Sequence, residues 1–210
     1  DDYSHELIFL TNKKINLNCG SKKKPKYGQV VKEDNVFVLF SGLHEKIKDY
    51  TNIDKYKTFK PDIVHDLEQF PYPFEDNSVD NISLSHVLEH IGQNPDTFNL
   101  IMKELYRICK NQAVISITVP HPRHDDFLSD PTHVRRITVP MLELYNKELN
   151  EQWQLQKGAN SSLALIHNVD FRIKYIRYDF ERKYSQMLKD KKINQQELDE
   201  MMYQYNNVVK

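Results

Sequence analysis

The chain has 210 residues, 39% of them apolar and 28% charged, with 29 basic against 30 acidic side chains. That is enough apolar sequence for one sizeable core, and a net charge of −1 supplies no basic field to draw in a phosphate backbone or an anionic membrane. No apolar run nears the roughly 20 residues of a membrane span, and two cysteines outside any CxxC pair point to a reduced, cytoplasmic chain instead of a disulfide scaffold.

The start, DDYSHELIF, lacks a basic stretch followed by an apolar one, so neither secretion nor anchoring is expected. Residues 15–20, INLNCG, precede the one compact basic patch, Lys22, Lys23 and Lys24. That patch is a solvated loop face or a weak nucleic-acid contact. The alternation NVFVLF at 35–40 predicts an extra strand and 42–50 a short helix, both within an insertion near 27–50. If the second strand is instead 50–53, its end supplies Asp54. A carboxylate there can accept two hydroxyl hydrogen bonds from a ligand, or it is a surface turn residue.

Residues 62–64 and 81–85 are short apolar runs, the first closed by His65 and Asp66, the second running into Ser85 and His86. Pro71 and Pro73 mark a loop between them. Open α/β sheets bind ligands beyond the carboxyl ends of their strands, which places Asp66, Ser85 and His86 at a ligand edge. Asn94 caps the next helix and Pro95 opens it. Phe98, Ile101, Met102, Leu105 and Ile108 recur on one face, which should pack on the sheet. Residues 114–119 read as a strand buried on both faces, ending at Pro120-His121-Pro122.

A polar cluster follows on the same edge: His121, His124, Asp125, Asp126, Asp130, His133, Arg135 and Arg136. Its histidines titrate near neutral pH and can act as bases, and its guanidinium forks suit a carboxylate or phosphate. A polar loop stitched by its own hydrogen bonds is the alternative. After a helix near 141–150, runs at 164–169 and 171–178 predict an antiparallel edge hairpin. The chain closes on a helix with Asn194 as cap, Glu197 as capping-box partner, and Leu198, Met201, Met202 and Tyr205 on one stripe. The stripe docks on its own domain or leaves a homodimer open. The domain division expected is 1–180 with a helical extension at 181–210.

The string PFEDNSVD at 73–80 followed by VLEHI at 87–91 resembles the middle of the class I S-adenosylmethionine-dependent methyltransferases. INLNCG is similar to their first motif, MKELYRICK and VISITVP to their fourth helix and fifth strand, and DPTHVRRIT at 130–138 to a segment of one bacterial subgroup. The resemblance spans residues 14–179. It implies a Rossmann-like, doubly wound, mostly parallel seven-stranded sheet, S-adenosylmethionine as cofactor, and transfer of its methyl group to an oxygen or nitrogen of a small molecule or glycan. By the same resemblance, Asn18, Cys19 and Gly20 form the turn against the cofactor's methionine half, and Asp54 takes the ribose hydroxyls. Asp66 and the Leu67 backbone take the adenine, while Ser85 and His86 meet the sulfonium and the acceptor. His86, His121, His124 and His133 are the candidate bases, Asp130, Arg135 and Arg136 the candidate substrate contacts, and no metal is expected.

Two other readings stand beside it. Asn18 replaces a family glycine, so a fold-retaining binding or scaffold protein is one. His86-Val87-Leu88-Glu89-His90 also spells HxxEH, the inverted zinc-protease pattern, in which two histidines share a helical face beside a glutamate base.

Overall fold

The computed structural model describes residues 5–11, 36–41 and 49–210. Its strands are β1 (His5–Thr11), β2 (Phe37–Ser41), β3 (Thr51–Asp54), β4 (Ile63–Val64), β5 (Val79–Ser85), β6 (Cys109–Val119) and β7 (Phe171–Arg177). They form one sheet in the order β4-β3-β2-β5-β6-β1-β7. Pairing is parallel from β4 through β6. β1 runs antiparallel to both β6 and β7. The result is the expected α/β, mostly parallel seven-stranded Rossmann-like sheet with an antiparallel edge.

Two strands differ from the sequence reading. Residues 37–41 are the middle of the five parallel strands, paired in parallel with β3 on one side and β5 on the other, and not an addition to the sheet. Val38, Leu39 and Phe40 are all buried, so both faces are covered, as the middle strand of a parallel sheet requires. The antiparallel edge is made by the N-terminal β1 with β7, and residues 164–169 are not its partner. Leu163–His167 form a short helix whose C-cap, Asn168, adopts left-handed angles (φ 53°). Ala and Leu favour that helix. β1 buries Leu7, Phe9 and Thr11 on one face, and its last residue is pinned by a 2.6 Å bond from Thr11 Oγ1 to the Lys110 carbonyl.

The helices are α1 (Pro95–Ile108), α2 (Asp125–Ser129), α3 (Val139–Glu143), α4 (Lys147–Leu155), α5 (Leu163–His167), α6 (Arg182–Lys189) and α7 (Gln195–Gln204). In α1 the Asn94 side chain accepts from the Asp96 N–H, and the five apolar residues singled out by spacing are its buried face. The helix expected near 141–150 is two short ones, α3 and α4, each started by a side-chain cap, Thr138 and Asn146. The Leu88–His90 segment is a single 3-10 turn.

Beyond β7 the chain builds a second apolar cluster, Leu198, Met202, Val208 and Val209, joined by Tyr178, Phe180 and Leu188. The Asn194–Glu197 capping box starts α7, and a bridge between Phe180 and Val209 closes the segment on itself. Its tail is bonded to the loop after β6: Asn207 N–H to the Arg123 carbonyl (3.2 Å), and His121 N–H to the Lys210 carbonyl (3.1 Å). No helix among the described residues is long and apolar enough to cross a membrane.

Candidate functional site

Strand order reverses direction of growth between β2 and β5, which opens a crevice at their carboxyl ends. A cleft of about 310 Å³ lies there. Phe40 from β2, Ile53 from β3, and Leu67, Val87 and Ile91 from the loops beyond β4 and β5 give it apolar walls. Asp54, Asp66, His86, His90 and Thr132 bring polar groups to it. A larger open hollow of about 930 Å³ lies by the amino ends of β5 and β7. Both of its arginines are ion-paired, Arg107 with Glu104 and Asp76, Arg172 with Glu148, whereas the smaller cleft lies at the carboxyl edge where such sheets bind ligands.

Asp54 and Asp66 follow adjacent strands, and each is oriented by a local turn. Asp54 Oδ1 accepts from Tyr56 N–H at 2.7 Å and Asp66 Oδ1 from Glu68 N–H at 3.0 Å. Leu67 is fixed by its carbonyl, which accepts from the buried Tyr72 hydroxyl at 2.9 Å. The Pro-rich loop holding Tyr72 is in turn tied to α1. Tyr72 N–H donates to Glu104 (2.7 Å), and the Arg107 guanidinium bonds Glu104, the Phe74 and Tyr72 carbonyls, and Asp76.

His86 leaves the end of β5 in a left-handed conformation (φ 52°), its N–H bonded to the Thr118 carbonyl. His86 lines the cleft, with Nδ1 3.3 Å from Oε1 of Glu89. Ser85 stays within the sheet, opposite Ser41 and Thr118. His86 and His90 do not share a helical face: a strand end, a left-handed residue and a 3-10 turn separate them. The arrangement that HxxEH denotes in zinc proteases, two ligands one α-helical turn apart, is therefore absent from this segment.

The polar segment after β6 divides. His133 and Thr132 approach the cleft: the His133 ring lies 4.6 Å from that of His90, and Thr132 Oγ1 is 2.9 Å from His90 Nδ1. Asp130 accepts from Thr132 through both its N–H and its hydroxyl. These bonds hold its carboxyl below the usual carboxylate range. Arg135 lies over the Phe98 ring and donates to the Gly92 carbonyl. Arg136 lies against Phe127 on the exposed side.

His121 and His124 sit on the other side, under the C-terminal segment. His124 is buried, accepts from Asp126 N–H as the cap of α2, and its Nε2 lies 3.2 Å from Glu181. Burial, and after it the charges of Arg123 and His124, push His121 down to about 4. Neither lines the cleft. Asn18, Cys19 and Gly20, like the basic run 22–24 and most of the short helix expected at 42–50, lie outside the described residues. Sequence reasoning did not assign roles to Tyr56, His65 or Thr132, which line the cleft, and it gave the buried Glu89 a role only as the base of the HxxEH pattern.

Residues 44–117 match the family model described as a methyltransferase domain. The match covers β3 to most of β6 and the cleft residues from Ile53 to Ile91, leaving out Phe40 and Thr132, and stops short of β7 and the C-terminal helices. No curated protein matches the chain. Among solved structures, a SAM dependent methyltransferase from Archaeoglobus fulgidus is similar at 20% identity and a TM-score of 0.43, over 52% of this chain and 57% of that one. The chain thus spans little more than half the length of that protein.

Proposed function

We propose that the chain transfers a methyl group from S-adenosylmethionine to an oxygen or nitrogen of a small molecule or glycan. The observation that carries this reading is the pair of carboxylates, Asp54 and Asp66, at the ends of adjacent parallel strands beside an apolar-walled cleft, inside the stretch that matches a methyltransferase domain. The donor set fits a nucleoside. Asp54 has the chemistry to accept from ribose hydroxyls, Asp66 from an exocyclic amine, and Phe40, Ile53 and Leu67 to flank a purine.

When bound, the cofactor supplies an electrophilic methyl carbon on a sulfonium. The residues do the positioning. In-line displacement needs donor and acceptor held in register, and a base helps when the acceptor carries a proton. His86 is our choice of base, because its imidazole lines the cleft with Glu89 3.3 Å behind it. His133 stays as a support through His90; His121 and His124, outside the cleft, have structural work. Asp130 acts through Thr132 on the acceptor side, and Arg136 is the more accessible of the two arginines for an anionic substrate group. We place the protein in the cytoplasm, acting without nucleic acid or membrane. Residues 181–210 are an extension to the catalytic domain.

The test is the thermal midpoint with and without S-adenosylhomocysteine, in chelator. Ligand at a hundred times its dissociation constant adds about 2.7 kcal/mol, roughly 5–10 °C for a chain of this size. Asp66→Ala should weaken that binding by about 1–3 kcal/mol. No shift in the wild type overturns the cofactor site. A shift without transfer of labelled methyl to any acceptor screened leaves a binding protein on the same fold.

A further inference from the structure

Glu89 is 1% exposed, and neither of its carboxylate oxygens has a hydrogen-bond partner among the described residues. The His86 ring lies within ion-pair reach but not in hydrogen-bond geometry. A buried carboxylate left so is expensive, and native structures offset it with a cation or with donors. Ligand atoms of Glu89, His90 and His133 all fall within 4.8 Å of one another. We infer that these three residues bind a divalent transition-metal ion of the zinc class at the rim of the cleft.

The two imidazoles are prepared for this. His133 Nδ1 is 2.8 Å from the Phe127 carbonyl, which can only accept, so Nδ1 carries the proton and Nε2 the lone pair. His90 Nδ1 faces Thr132 Oγ1, whose own proton goes to Asp130 at 2.6 Å, so His90 also donates from Nδ1 and keeps Nε2 for a ligand. Metal-binding histidines are held in this way, through the far nitrogen by a carbonyl or a hydroxyl–carboxylate relay. The ring of His133 is further fixed by stacking on Phe127, centroids 5.1 Å apart.

Ligands of a tetrahedral zinc lie roughly 3.4 Å apart, the spacing set by bonds of about 2.0–2.1 Å. A spread of 4.8 Å therefore needs only modest side-chain rotation to close on an ion. Two imidazoles and one carboxylate suit zinc and its first-row neighbours and not magnesium or calcium, which take oxygen ligands. Three protein ligands leave a coordination position open. Because His90 and Thr132 line the cleft, that position is placed to take a water or an oxygen of a molecule held there. The set differs from the HxxEH pattern: Glu89 is a ligand, His133 comes from a loop 43 residues beyond His90, and His86 is left out of it.

The experiment uses the full chain, stripped with chelator and dialysed, and no methyl donor, so its outcome is separate from that of the methyl-transfer reading. Zn²⁺ is titrated by calorimetry and Co²⁺ by visible spectroscopy. One equivalent should bind, and Co²⁺ should show the intense visible bands of a four- or five-coordinate ion. Glu89→Gln and His133→Ala should each lower affinity at least tenfold, and Thr132→Val, which removes the far-nitrogen partner of His90, by roughly 10–100-fold. His167→Ala, remote from the cleft, should change nothing. Pale six-coordinate Co²⁺, no stoichiometric zinc, or equal affinity in wild type and His133→Ala would overturn the site. If Glu89→Gln fails to fold, the wild-type spectrum and the His133 variant decide alone.

Discussion

Arg107→Ala is the perturbation most directly weighed from the structure. The guanidinium of Arg107 is 26% exposed and spans two segments: Glu104 on its own helix, at 2.7 Å to both carboxylate oxygens, and the Pro-rich loop through the carbonyls of Tyr72 and Phe74 at 3.1 and 2.9 Å. Asp76, 70% exposed, adds little on its own, since such ion pairs are worth about 0–1 kcal/mol. The Glu104 pair, with the carboxylate 14% exposed, matters more. Removing one partner leaves a shielded charge and two carbonyls without their donor, at about 1–3 kcal/mol for each group before water enters. Because the site stays a quarter open, we expect a net loss of about 3 kcal/mol, or roughly 6–12 °C in thermal midpoint. Arg107→Lys should recover less than half, because an ammonium cannot hold two carbonyls and a bidentate carboxylate at once. The same network sets a pH response. Burial would raise Glu104, but the Arg107 hydrogen bonds and the Tyr72 N–H outweigh it and hold the carboxyl below its ordinary 4.5. Its contribution is therefore complete above 4.5 and drains away as pH falls from there through the lower native value, a decline that Glu104→Gln should lack. Differential scanning fluorimetry from pH 7 to 3 reads all three variants. A midpoint drop under about 3 °C for Arg107→Ala, or full rescue by Lys, would refute the assignment of the loop's anchoring to this guanidinium.

Three further outcomes are expected. Gly92 has φ +67°, and a Cβ there would meet Phe98 at 2.8 Å, so Gly92→Ala should cost about 2–3 kcal/mol in urea unfolding and disturb the Arg135 contact to its carbonyl; a neutral effect would contradict the packing. Tyr72→Phe removes the buried bond to the Leu67 carbonyl and should lower stability by about 1–2 kcal/mol while weakening S-adenosylhomocysteine binding, with both effects read by thermal shift; loss of stability at unchanged affinity would detach Leu67 from the cofactor. His121, pushed down to about 4 from 6.5, stays neutral in the fold while the unfolded chain takes up a proton, so this part of stability falls as pH drops from 6.5 toward 4 and is level below. His121→Phe should flatten the midpoint-versus-pH curve between 7 and 5, and an unaltered slope would remove His121 as its source.

What could be read from sequence follows a physical rule. Signals that are local and periodic came through: the buried stripe of α1, the Asn194–Glu197 capping box, and the short runs that became β4 and β5. Order within the sheet did not, because it is decided by which strand can bury both faces. NVFVLF can, and so takes the middle of the parallel strands; nothing local marks it as such instead of additional. HELIFLT was passed over for a similar reason. Its alternation of Leu7, Phe9 and Thr11 is a sound strand signal, yet its partners are β6 and β7, a hundred residues and more away. The run at 164–169 misled in the opposite sense: it is apolar enough for a strand, but Ala164 and Leu165 favour helix, and Asn168 closes it with a left-handed cap.

The cleft divides along the same line. Asp54, Asp66 and His86 were legible because each ends a strand, and parallel strands deliver their carboxyl ends to one edge whatever lies between them. Residues brought in by loops were not. His121, His124 and His133 look alike in sequence, spaced within thirteen residues, but α2 turns the chain between them, so that His124 meets Glu181 while His133 meets His90. HxxEH likewise invites pairing His86 with His90, since the motif presumes a helix. The backbone gives a strand end and a 3-10 turn instead, which separates those two rings and points Glu89 inward. An inward glutamate with no donor among the described residues is a feature that neither a methyl-transfer cleft nor a well-packed core requires. Its energetic cost is the reason to look for a cation there before assigning it any role as a proton acceptor.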